Sequence, residues 1–542
     1  MSDFEQLVAV LYTKGYYSGL VDIKINGIPL EQSIEDNSQI TVRPVPVSLS
    51  ISPGPLFHFG QTSVSYSHLE DADRTKLPDV MALGITSGAP ALSDKIFKAE
   101  SKALIALADL GYPHAKVGPR KLLANHATHS LKVHLAFNAG PKARFGPVTV
   151  KGSKSVSADF IKTYANIPEG ETYSDTTIRK TEDRLRDLGV FSSISIKPSP
   201  IIKENGSQPI TIEVSERASR VFGLGANWSS NEGLGLEGYW THRNLFGSAE
   251  KLTLSGSLGQ ISDIAGDDLE YAAGLAFEKP GAFGPATKFT SSINAARERP
   301  DSYESRSITA DAFYHRKINE HLKMKVGGEA FYGSEEDVLG AQDYFFIGAP
   351  AYLTYDKRNN KLNPTRGYEG ILYFEPAADL RISEALLFSK ASFSNYVSLD
   401  KKDRWVIATR VSTGVEVSNG LTKIPPSRRF YLGGGGTVRG YAYNNIGPRV
   451  DDEVTGGRSF FLVNGELRVK LTSSIGAVGF LDAGSVYDSI LPDFSSSFQI
   501  GVGLGLRYFT PVGPLRLDVG VPLSPEKDDP PVAVYIGLSQ SF

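Results

Sequence analysis

The stretch Gln499–Tyr508 reads QIGVGLGLRY, and its alternation decides how the second half of the chain folds. From the isoleucine onward, every second position carries a large side chain, and the positions between hold three glycines and an arginine. A period of two is that of a β-strand with one apolar face and one small or polar face. Glycine and charge cannot fill a packed core, whereas a water-filled lumen tolerates both. The stretch therefore predicts one strand of a membrane-spanning β-barrel.

The same alternation recurs along residues 218–542. Lys251–Gly259, KLTLSGSLG, places leucines on one face and lysine, threonine and serines on the other, and Pro514–Pro522, PLRLDVGVP, repeats the pattern. A soluble β-sandwich also alternates, and for any single strand that alternative stays open. Over the whole span, the inward faces are too polar and too rich in glycine for a packed core. At roughly 20 residues per strand and connection, the span predicts about 16 antiparallel strands.

Composition excludes several classes of function. The chain of 542 residues has no cysteine, so it can form neither disulfides nor a cysteine nucleophile, and its net charge of −3 predicts no nucleic-acid partner. His126 and His129, in the sequence HATH, lack a neighbouring acid and are interpreted as surface histidines instead of a metal site. The sequence has no GxSxG nucleophile elbow. We therefore predict no enzyme activity, no metal and no other cofactor.

The first part of the chain repeats a unit of strands and helices. ISPGPLFHFGQTSV at Ile51–Val64 aligns with FNAGPKARFGPVTV at Phe137–Val150, because Gly-Pro, Phe-Gly and Val recur in register. Leucine-rich helices that stop at Gly15, Gly111 and Gly189 precede alternating strands, as expected of glycine after a helix end. The repeat predicts a truncated unit at 1–50, complete units at 51–138 and 139–217, and the barrel at 218–542.

The first of these units is expected to be incomplete, because its helix begins near Asp3 with no strand before it. An unpaired sheet edge is a liability in a small α/β module. We therefore expect that the natural protein extends upstream, and that a signal sequence lies in that extension.

Five motifs together give the chain a family resemblance. They are DKRNNKLNPTRGY at Asp356–Tyr368, TVRGY at Thr437–Tyr441, GFLDAG at Gly479–Gly484, GLRYFTPVGPLRLDVGVPL at Gly505–Leu523 and a final VYIGLSQSF that ends on Phe542. They resemble the BamA/TamA superfamily of outer-membrane assembly proteins, and the resemblance covers nearly the whole chain. It implies α+β POTRA repeats followed by an all-β transmembrane barrel of about 16 antiparallel strands. In such barrels a final aromatic residue is a sorting and insertion signal.

The resemblance also implies that TVRGY lies on a loop that folds back into the barrel lumen. Arg439 is then expected to reach Asp482 and Glu466 on inward-facing strands and to form bidentate hydrogen bonds. In a wet lumen we expect screening to limit this clamp to about 1–3 kcal/mol. A glycine hinge with positive φ is expected to let the chain reverse before the arginine. The remaining clamp and hinge residues are Gly440, Tyr441, Gly433, Gly434, Gly435 and Gly436.

A weak lateral seam is implied where the first and last strands meet, here Arg220–Trp228 and Val532–Phe542. Glycine lowers the packing energy of cross-strand pairs, so this closing pair is expected to be held weakly. An incoming substrate strand is then expected to add to the exposed edge by β-augmentation. Gln540 departs from the apolar or aromatic residues that the family carries near its end. The seam residues are Phe222, Gly223, Gly225, Ile536, Gly537, Leu538 and Phe542.

The number of modules distinguishes the branches of the superfamily. Two complete units and one truncated unit favour the TamA branch, which has three modules, over BamA proteins with five and two-partner-secretion transporters with two. The TamA branch implies a bacterial outer-membrane location with POTRA modules in the periplasm. Its implied partners are the outer-membrane lipid bilayer, a TamB-like periplasm-spanning protein, and unfolded outer-membrane protein substrates such as autotransporters. Two alternatives stay open, namely a polypeptide secretion pore and a BamA-like general insertase.

Overall fold

The structure is a computed structural model that describes residues 3–30, 32, 46–229, 233–259, 269–511 and 513–542. The chain divides into two compact units, Met1–Lys154 with Ala158–Glu216 and Ser155–Ser157 with Arg217–Phe542. The first unit combines helices with small sheets, whereas the second is built of antiparallel strands. The predicted fold class, α+β repeats followed by an all-β barrel, is confirmed.

The first unit contains three small sheets with helices between their strands. Its helices are α1 (Asp3–Thr13), α2 (Asp71–Arg74), α3 (Val80–Leu83), α4 (Ser93–Asp109), α5 (Ala158–Ala165) and α6 (Asp175–Asp187). Its strands are β1 (Leu20–Ile25), β2 (Ile28–Pro29), β3 (Val47–Ser52), β4 (His58–Ser67), β5 (Lys116–Val117), β6 (Lys121–Asn125), β7 (Ser130–Asn138), β8 (Arg144–Lys151), β9 (Phe191–Pro198) and β10 (Ser207–Glu216). No helix in the described part of the chain has the length and apolar character needed to cross a membrane.

The second and third sheets share one topology. Their orders are β4-β7-β5, with β6 also beside β7, and β8-β10-β9. In each sheet the first strand pairs in parallel with the last strand of the unit, and the middle strand pairs with that last strand in antiparallel fashion. Helix α4 buries Ile96, Ala99, Ala103 and Leu107, at helical spacing, against the second sheet.

Helix ends follow the sequence signals. Gly15, Gly111 and Gly189, which were predicted to stop helices, have φ of 87°, 101° and 70°, the left-handed conformation that glycine adopts at least cost. The first sheet, β2-β1-β3, extends to Ser52 and therefore passes the expected unit boundary at residue 50. Part of that predicted first unit, residues 31 and 33–45, lies outside the described residues.

The second unit is a closed barrel. Its first strands are β11 (Arg220–Ser229), β12 (Gly233–His242), β13 (Lys251–Gly259), β14 (Glu270–Pro280), β15 (Thr287–Glu298), β16 (Glu304–Lys317), β17 (Leu322–Asp337), β18 (Gly340–Gly348) and β19 (Ala351–Asp356). The rest are β20 (Gly367–Asp379), β21 (Glu384–Ser398), β22 (Trp405–Val417), β25 (Ser459–Lys470), β26 (Ile475–Tyr487), β27 (Gln499–Thr510), β28 (Gly513–Pro522) and β29 (Ala533–Leu538). A short hairpin of β23 (Arg449–Val450) and β24 (Glu453–Val454) lies in the connection between β22 and β25.

Strands β18 and β19 share one position in the barrel wall. Both pair with β17 on one side and with β20 on the other, at successive levels. Pro350 separates them, and proline has no N–H to donate to a sheet. The described strands of the barrel therefore occupy sixteen positions, in agreement with the predicted number.

Candidate functional site: an arginine clamp in the lumen

Residues 418–458, which connect β22 to β25, fold into the barrel and are called the lumen segment here. Leu432, Tyr441 and Ile446 of this segment are buried against Phe460 and Leu462 of β25. Apolar contact therefore holds the segment against the wall, and its polar groups meet the wall in a water-free environment.

The glycine hinge reverses the chain with two left-handed residues. Gly433 and Gly434 have φ of 105° and 91°. The expectation of positive φ at Gly435 and Gly436 was wrong, because neither is among the positive-φ glycines. The hydroxyl of Thr437 accepts from the N–H of Gly433 and donates to its carbonyl, both at 2.9 Å, so one side chain closes the turn.

Arg439 is the centre of the site. Its Nε and Nη2 donate to the two oxygens of Asp482 at 2.7 and 3.0 Å, and its Nη1 donates to Glu466 Oε1 at 2.7 Å. The backbone N–H of Arg439 adds a 3.2 Å bond to Asp482, and the ring of Phe480 lies 3.6 Å from the guanidinium carbon. The structure thus brings together the arginine and both carboxylates named from the sequence.

The clamp is dry, so the expectation of a wet, screened ion pair was wrong. Arg439 is 1% exposed, Asp482 0% and Glu466 3%. The lumen segment itself excludes water at this wall. A buried ion pair whose partner is removed leaves an uncompensated charge, which costs about 3–5 kcal/mol, more than the expected range.

Small residues on the facing strands make room for the segment. A side chain at Gly501 would overlap the carbonyl of Arg439, and one at Gly520 would meet the N–H of Gly440 at 3.0 Å. Gly440 itself has φ of 106°. Gly501 of QIGVGLGLRY and Gly520 of β28 therefore form a contact surface for the arginine turn.

Three further charged residues, not assigned from the sequence, complete the clamp network. Asp518 accepts from Arg439 Nη1 at 3.4 Å and from Arg507 Nη1 at 2.5 Å, while Arg468 Nε donates to Glu466 Oε2 at 2.7 Å. In GLRYFTPVGPLRLDVGVPL, Arg507 and Asp518 stand at inward-facing positions of the alternating pattern, and this is the sequence signal that marks them. Gly505, on the same face as Arg507, pairs with Asp518 across the strands. Their partner, however, depends on the fold of a distant loop.

A second anchor holds the start of the lumen segment at another part of the wall. Arg429 Nη1 donates to Asp337 Oδ2 of β17 at 2.5 Å, and both side chains are 1% exposed. Arg428 bonds to Glu329 of β17 and donates to Glu375 of β20 at 3.2 Å. This anchor was not predicted from the sequence, where its only local signal is the Arg-Arg pair shortly before the glycines.

The seam between β11 and β29 is held by few contacts. Within the described residues, Ser229 with Tyr535 is the single registered pair, whereas β11 and β12 share ten pairs and β28 and β29 share six. The outward side chains of Phe222 and Leu224 are 76% and 94% exposed. Gly223 and Gly225 of β11 lie opposite Tyr239 and Glu237 of β12.

The last strand is shorter than expected. We expected it to reach Phe542, but β29 ends at Leu538 and Ser539 turns the chain with φ of 75°. Ile536 and Leu538 face outward, 57% and 54% exposed, and Gly537 pairs with Arg516 of β28. Gln540 turns inward because its amide finds partners there: Arg507 Nε donates to its Oε1 and its Nε2 donates to Asn363 Oδ1, both at 2.9 Å.

His126 and His129, interpreted as surface histidines, lie in the turn between β6 and β7. Their rings are 5.5 and 5.8 Å from the ring of Phe57, and His126 Nδ1 is 2.8 Å from Ser18 Oγ. No group of three or more His, Asp or Glu residues in the described ranges is arranged to hold a metal ion.

Residues 244–542 match the profile of the Omp85 superfamily domain, and residues 143–217 match a POTRA profile described as a surface antigen variable number repeat. BamA, an outer membrane protein assembly factor, of Nitratidesulfovibrio vulgaris is 23% identical over 499 residues, covering 89% of this chain and 61% of that protein. BamA of Neisseria meningitidis serogroup B is 22% identical, covering 97% of this chain and 71% of that protein. The chain therefore spans about 61–71% of the length of these relatives.

Two solved structures show the same fold. BamA from Haemophilus ducreyi lacking POTRA domains 1–3 has a TM-score of 0.66 and 18% identity, covering 89% of this chain and 100% of that chain. CdiB from Escherichia coli has a TM-score of 0.51 and 16% identity, covering 90% of this chain and 91% of that chain. At 18% and 16% identity the similarity concerns the fold alone, and BamA and CdiB share that fold.

Proposed function

Because the chain belongs to the Omp85 superfamily, whose domain profile covers residues 244–542, we propose that it is an outer-membrane assembly factor without enzymatic activity. In this proposal it helps unfolded β-barrel proteins insert by adding their strands at the seam between β11 and β29. The barrel lies in the outer membrane lipid bilayer, with the POTRA modules in the periplasm. The observation that carries the proposal is that the described residues of β11 and β29 form a single registered pair at that seam.

Strand addition needs an edge that is exposed but held in shape. Strand β11 is fixed on one side by ten pairs with β12, while its other side has one registered pair with β29. Cross-strand pairs contribute about 0.2–1 kcal/mol each, so opening the seam costs little compared with separating β11 from β12. The freed N–H and C=O groups form a template for another strand.

The clamp acts on this seam through Tyr535. This residue is the β29 member of the registered pair, and its hydroxyl accepts from the N–H of Gly440 at 3.1 Å. A side chain at Gly435 would meet the Tyr535 ring at 2.9 Å, so the hinge also lies against it. We infer that Arg439 sets the position of the seam strand by fixing the turn on which Gly440 lies.

The modules support a finer proposal. Residues 143–217 match a POTRA profile, and the sheet of residues 51–138 has the same strand order and directions. We infer that residues 51–138 form a second POTRA module and that residues 1–50 belong to another. The named relatives favour BamA-like general insertion, and the alternative that we keep beside it is the TamA branch, with a TamB-like, inner-membrane-anchored partner and autotransporter substrates.

Affinity purification of the protein from gently solubilised membranes, followed by mass spectrometry, distinguishes the two branches. Recovery of a very large inner-membrane-anchored protein supports the TamA branch. Recovery of outer-membrane lipoproteins in its place contradicts that branch and supports the BamA-like alternative.

A seam lock tests strand addition directly. The chain has no cysteine, so Ser229→Cys with Tyr535→Cys introduces one possible disulfide across the seam. In liposomes that contain the protein, the oxidised variant is expected to stop inserting an unfolded barrel substrate, and reduction is expected to restore insertion. The matched control is Thr241→Cys with Thr253→Cys, whose native hydroxyls are 2.9 Å apart within the β12–β13 wall. Insertion that continues with the seam locked contradicts the proposal.

The alternative function is a polypeptide secretion pore. The fold shared with CdiB is the reason to consider it for this chain. A secretion pore requires that the lumen segment leave the lumen while substrate passes. In this protein the segment is anchored at Arg439 and again at Arg428 and Arg429. Two buried anchors favour a segment that stays in place, and hence insertion at the seam.

A further inference from the structure

The connection between β28 and β29, residues 523–532, lies against the lumen segment and is called the seam connection here. Asp529 Oδ1 accepts from the backbone N–H of Ala442 at 2.9 Å and from Asn445 Nδ2 at 2.8 Å. The same amide nitrogen donates to the carbonyl oxygen of Lys527 at 2.7 Å. The contacts of Asp529 with Ala442 and Asn445, called the latch, join the chain that leads into the last strand to the segment inside the barrel.

The two sides of the latch are each held in shape by their own neighbours. Asp529 Oδ2 accepts from the N–H of Glu526 at 2.7 Å, and the N–H of Asp529 donates to the carbonyl of Glu526 at 3.3 Å. On the other side, Arg449 Nη2 donates to the side-chain and backbone oxygens of Asn445 at 2.8 and 3.0 Å, and Asn445 is buried. Groups that are positioned before they meet lose little conformational freedom on bonding, and the charge of the carboxylate strengthens its hydrogen bonds.

Tyr441 fastens the seam connection a second time, near the end of β28. Its side chain is buried, and its hydroxyl accepts from the N–H of Ser524 at 3.3 Å and lies 3.2 Å from the carbonyl oxygen of Ile500. Gln499 Nε2 also donates to Glu526 Oε1 at 2.9 Å. The seam connection is therefore bonded to its surroundings at several points, and the lumen segment supplies buried partners for it.

The latch lies shortly before β29, which begins at Ala533, whereas the clamp reaches the same strand farther along. There the hydroxyl of Tyr535 accepts from the N–H of Gly440 at 3.1 Å. Asp529 and Tyr535 thus bind neighbouring parts of the lumen segment, Ala442 and Gly440. Since β29 is fastened to the segment both at its approach and within the strand, we expect it to follow the segment when the segment moves.

We propose that Asp529 is a positioning residue for the seam, and that β29 keeps its place beside β11 while the latch is closed. The inference rests on the proposed function and assigns a second control to the seam, at the entry to β29, in addition to that of Arg439. In the described residues, β11 and β29 share one registered pair. A hydrogen bond to a charged group contributes more than a cross-strand pair, so the latch outweighs that pair in holding the strand. Its opening is expected to widen the seam while the wall stays folded.

A distance measurement across the seam tests the latch. Because the chain has no cysteine, Leu224→Cys and Leu538→Cys place two nitroxide labels at exposed, outward-facing positions on either side of the seam. Pulsed electron paramagnetic resonance of the full chain in liposomes then gives the distribution of distances between the labels. We expect one main distance while Asp529 is present. With Asp529→Ala we expect the population at longer distance to rise about tenfold.

The matched control is Asp493→Ala, which removes an acidic residue from another connection of the barrel, between β26 and β27. Asp493 Oδ1 accepts from the N–H and the hydroxyl of Ser495 in the same connection, at 3.0 and 2.7 Å, so its loss should leave the distances unchanged. Asp529→Asn keeps an oxygen for Ala442 and Asn445 and should retain most of the closed population. Heat-modifiable migration in gels verifies that each barrel is folded.

Asn445→Ala tests the latch from its other side and should widen the seam as Asp529→Ala does, while the double variant should widen it no further. Unchanged distances in either single variant overturn the inference, as does equal widening by Asp493→Ala. Additive widening in the double variant also overturns it, because the two residues would then act separately.

The proposed function fails separately, because it is measured by insertion with the seam locked. A seam that widens on loss of the latch, together with insertion that continues under the lock, would leave the latch valid and refute strand addition at the seam.

Discussion

At Arg439 a single guanidinium serves three carboxylates, those of Asp482, Glu466 and Asp518. Burying such a group alone would cost much free energy, and the wall offsets that cost with hydrogen bonds to Nε, Nη1 and Nη2. The same bonds make the site intolerant of partial removal, because each carboxylate would stay buried with fewer donors. Charge at this position therefore fixes a conformation more than it adds to overall stability.

Loss of the arginine is expected to be costly. We predict that Arg439→Ala lowers the free energy of unfolding of the barrel by about 3–5 kcal/mol, because three carboxylates then remain buried with one cation fewer. Arg439→Lys keeps the charge but not the two-pronged geometry, so a loss of about 1–3 kcal/mol is expected. Denaturant unfolding in detergent micelles measures both.

The matched control is Arg366→Ala, because Arg366 pairs with Asp403 at 2.8 Å with its side chain 55% exposed. Exposed pairs contribute about 1 kcal/mol or less. If Arg439→Ala were no more costly than this control, the dry character of the clamp would be contradicted.

Glycines on opposite faces of the wall should respond differently to the same methyl group. Gly501→Ala adds a carbon where Arg439 presents its carbonyl, and we predict a loss of about 1–3 kcal/mol with displacement of the lumen segment. Gly479→Ala meets only Leu504 at 3.9 Å and should change stability by less than about 0.5 kcal/mol. Melting temperature and protease cleavage within residues 418–458 report both effects. Equal sensitivity of the two variants would refute the contact surface.

At the scale of elements, the strands could be predicted from alternation, and the helix ends could be predicted from Gly15, Gly111 and Gly189. Both signals are local in the sequence. Contacts between residues far apart in the sequence could not be predicted from such local signals. The early end of β29 depends on Arg507 and Asn363, which offer the amide of Gln540 a better environment than the membrane-facing strand. The anchor at Arg429 needs Asp337, 92 positions away. Contacts of this kind depend on the register between distant strands, and a short stretch of sequence does not determine that register.

In the first unit, a buried carboxylate joins α2 to the connection that precedes β8. Asp73 accepts from Lys142 Nζ at 2.7 Å, from Lys76 Nζ at 2.9 Å and from the hydroxyl of Tyr112 at 3.0 Å. Hydrogen bonds from Lys142 and then Lys76 lower the pKa of Asp73 to about 2. The bonds hold α2 of one predicted module against the start of the next.

This carboxylate should make the first unit sensitive to acid. Because the pKa of Asp73 is lower in the folded state than in the unfolded state, its contribution is complete above about pH 4 and is lost as pH falls toward 2. We predict that Asp73→Asn costs about 1–2 kcal/mol at pH 7 and that the difference from wild type disappears near pH 2. Circular dichroism at a helical wavelength follows this unit, because the described helices lie in it. A difference that does not change with pH would contradict the assignment.

For the whole molecule, the lumen segment matters because it is fastened at two separate parts of the barrel. Arg439 bonds to β25, β26 and β28, whereas Arg428 and Arg429 bond to β17 and β20. The segment therefore crosses from one part of the wall to another. When one anchor is removed, the other still holds its end of the segment. We therefore expect that releasing the segment requires the loss of both anchors.

Conductance in planar lipid bilayers tests this arrangement. We predict that Arg439→Ala, or Arg428→Ala with Arg429→Ala, gives brief openings, because the remaining anchor returns the segment to the lumen. The triple variant is expected to give a large and steady conductance, since both fastenings are then absent. Lys325→Gln, a lumen cation outside both anchors, is the control and should remain closed. A triple variant that stays as closed as the wild type would show that apolar contacts of Leu432, Tyr441 and Ile446 suffice to hold the segment.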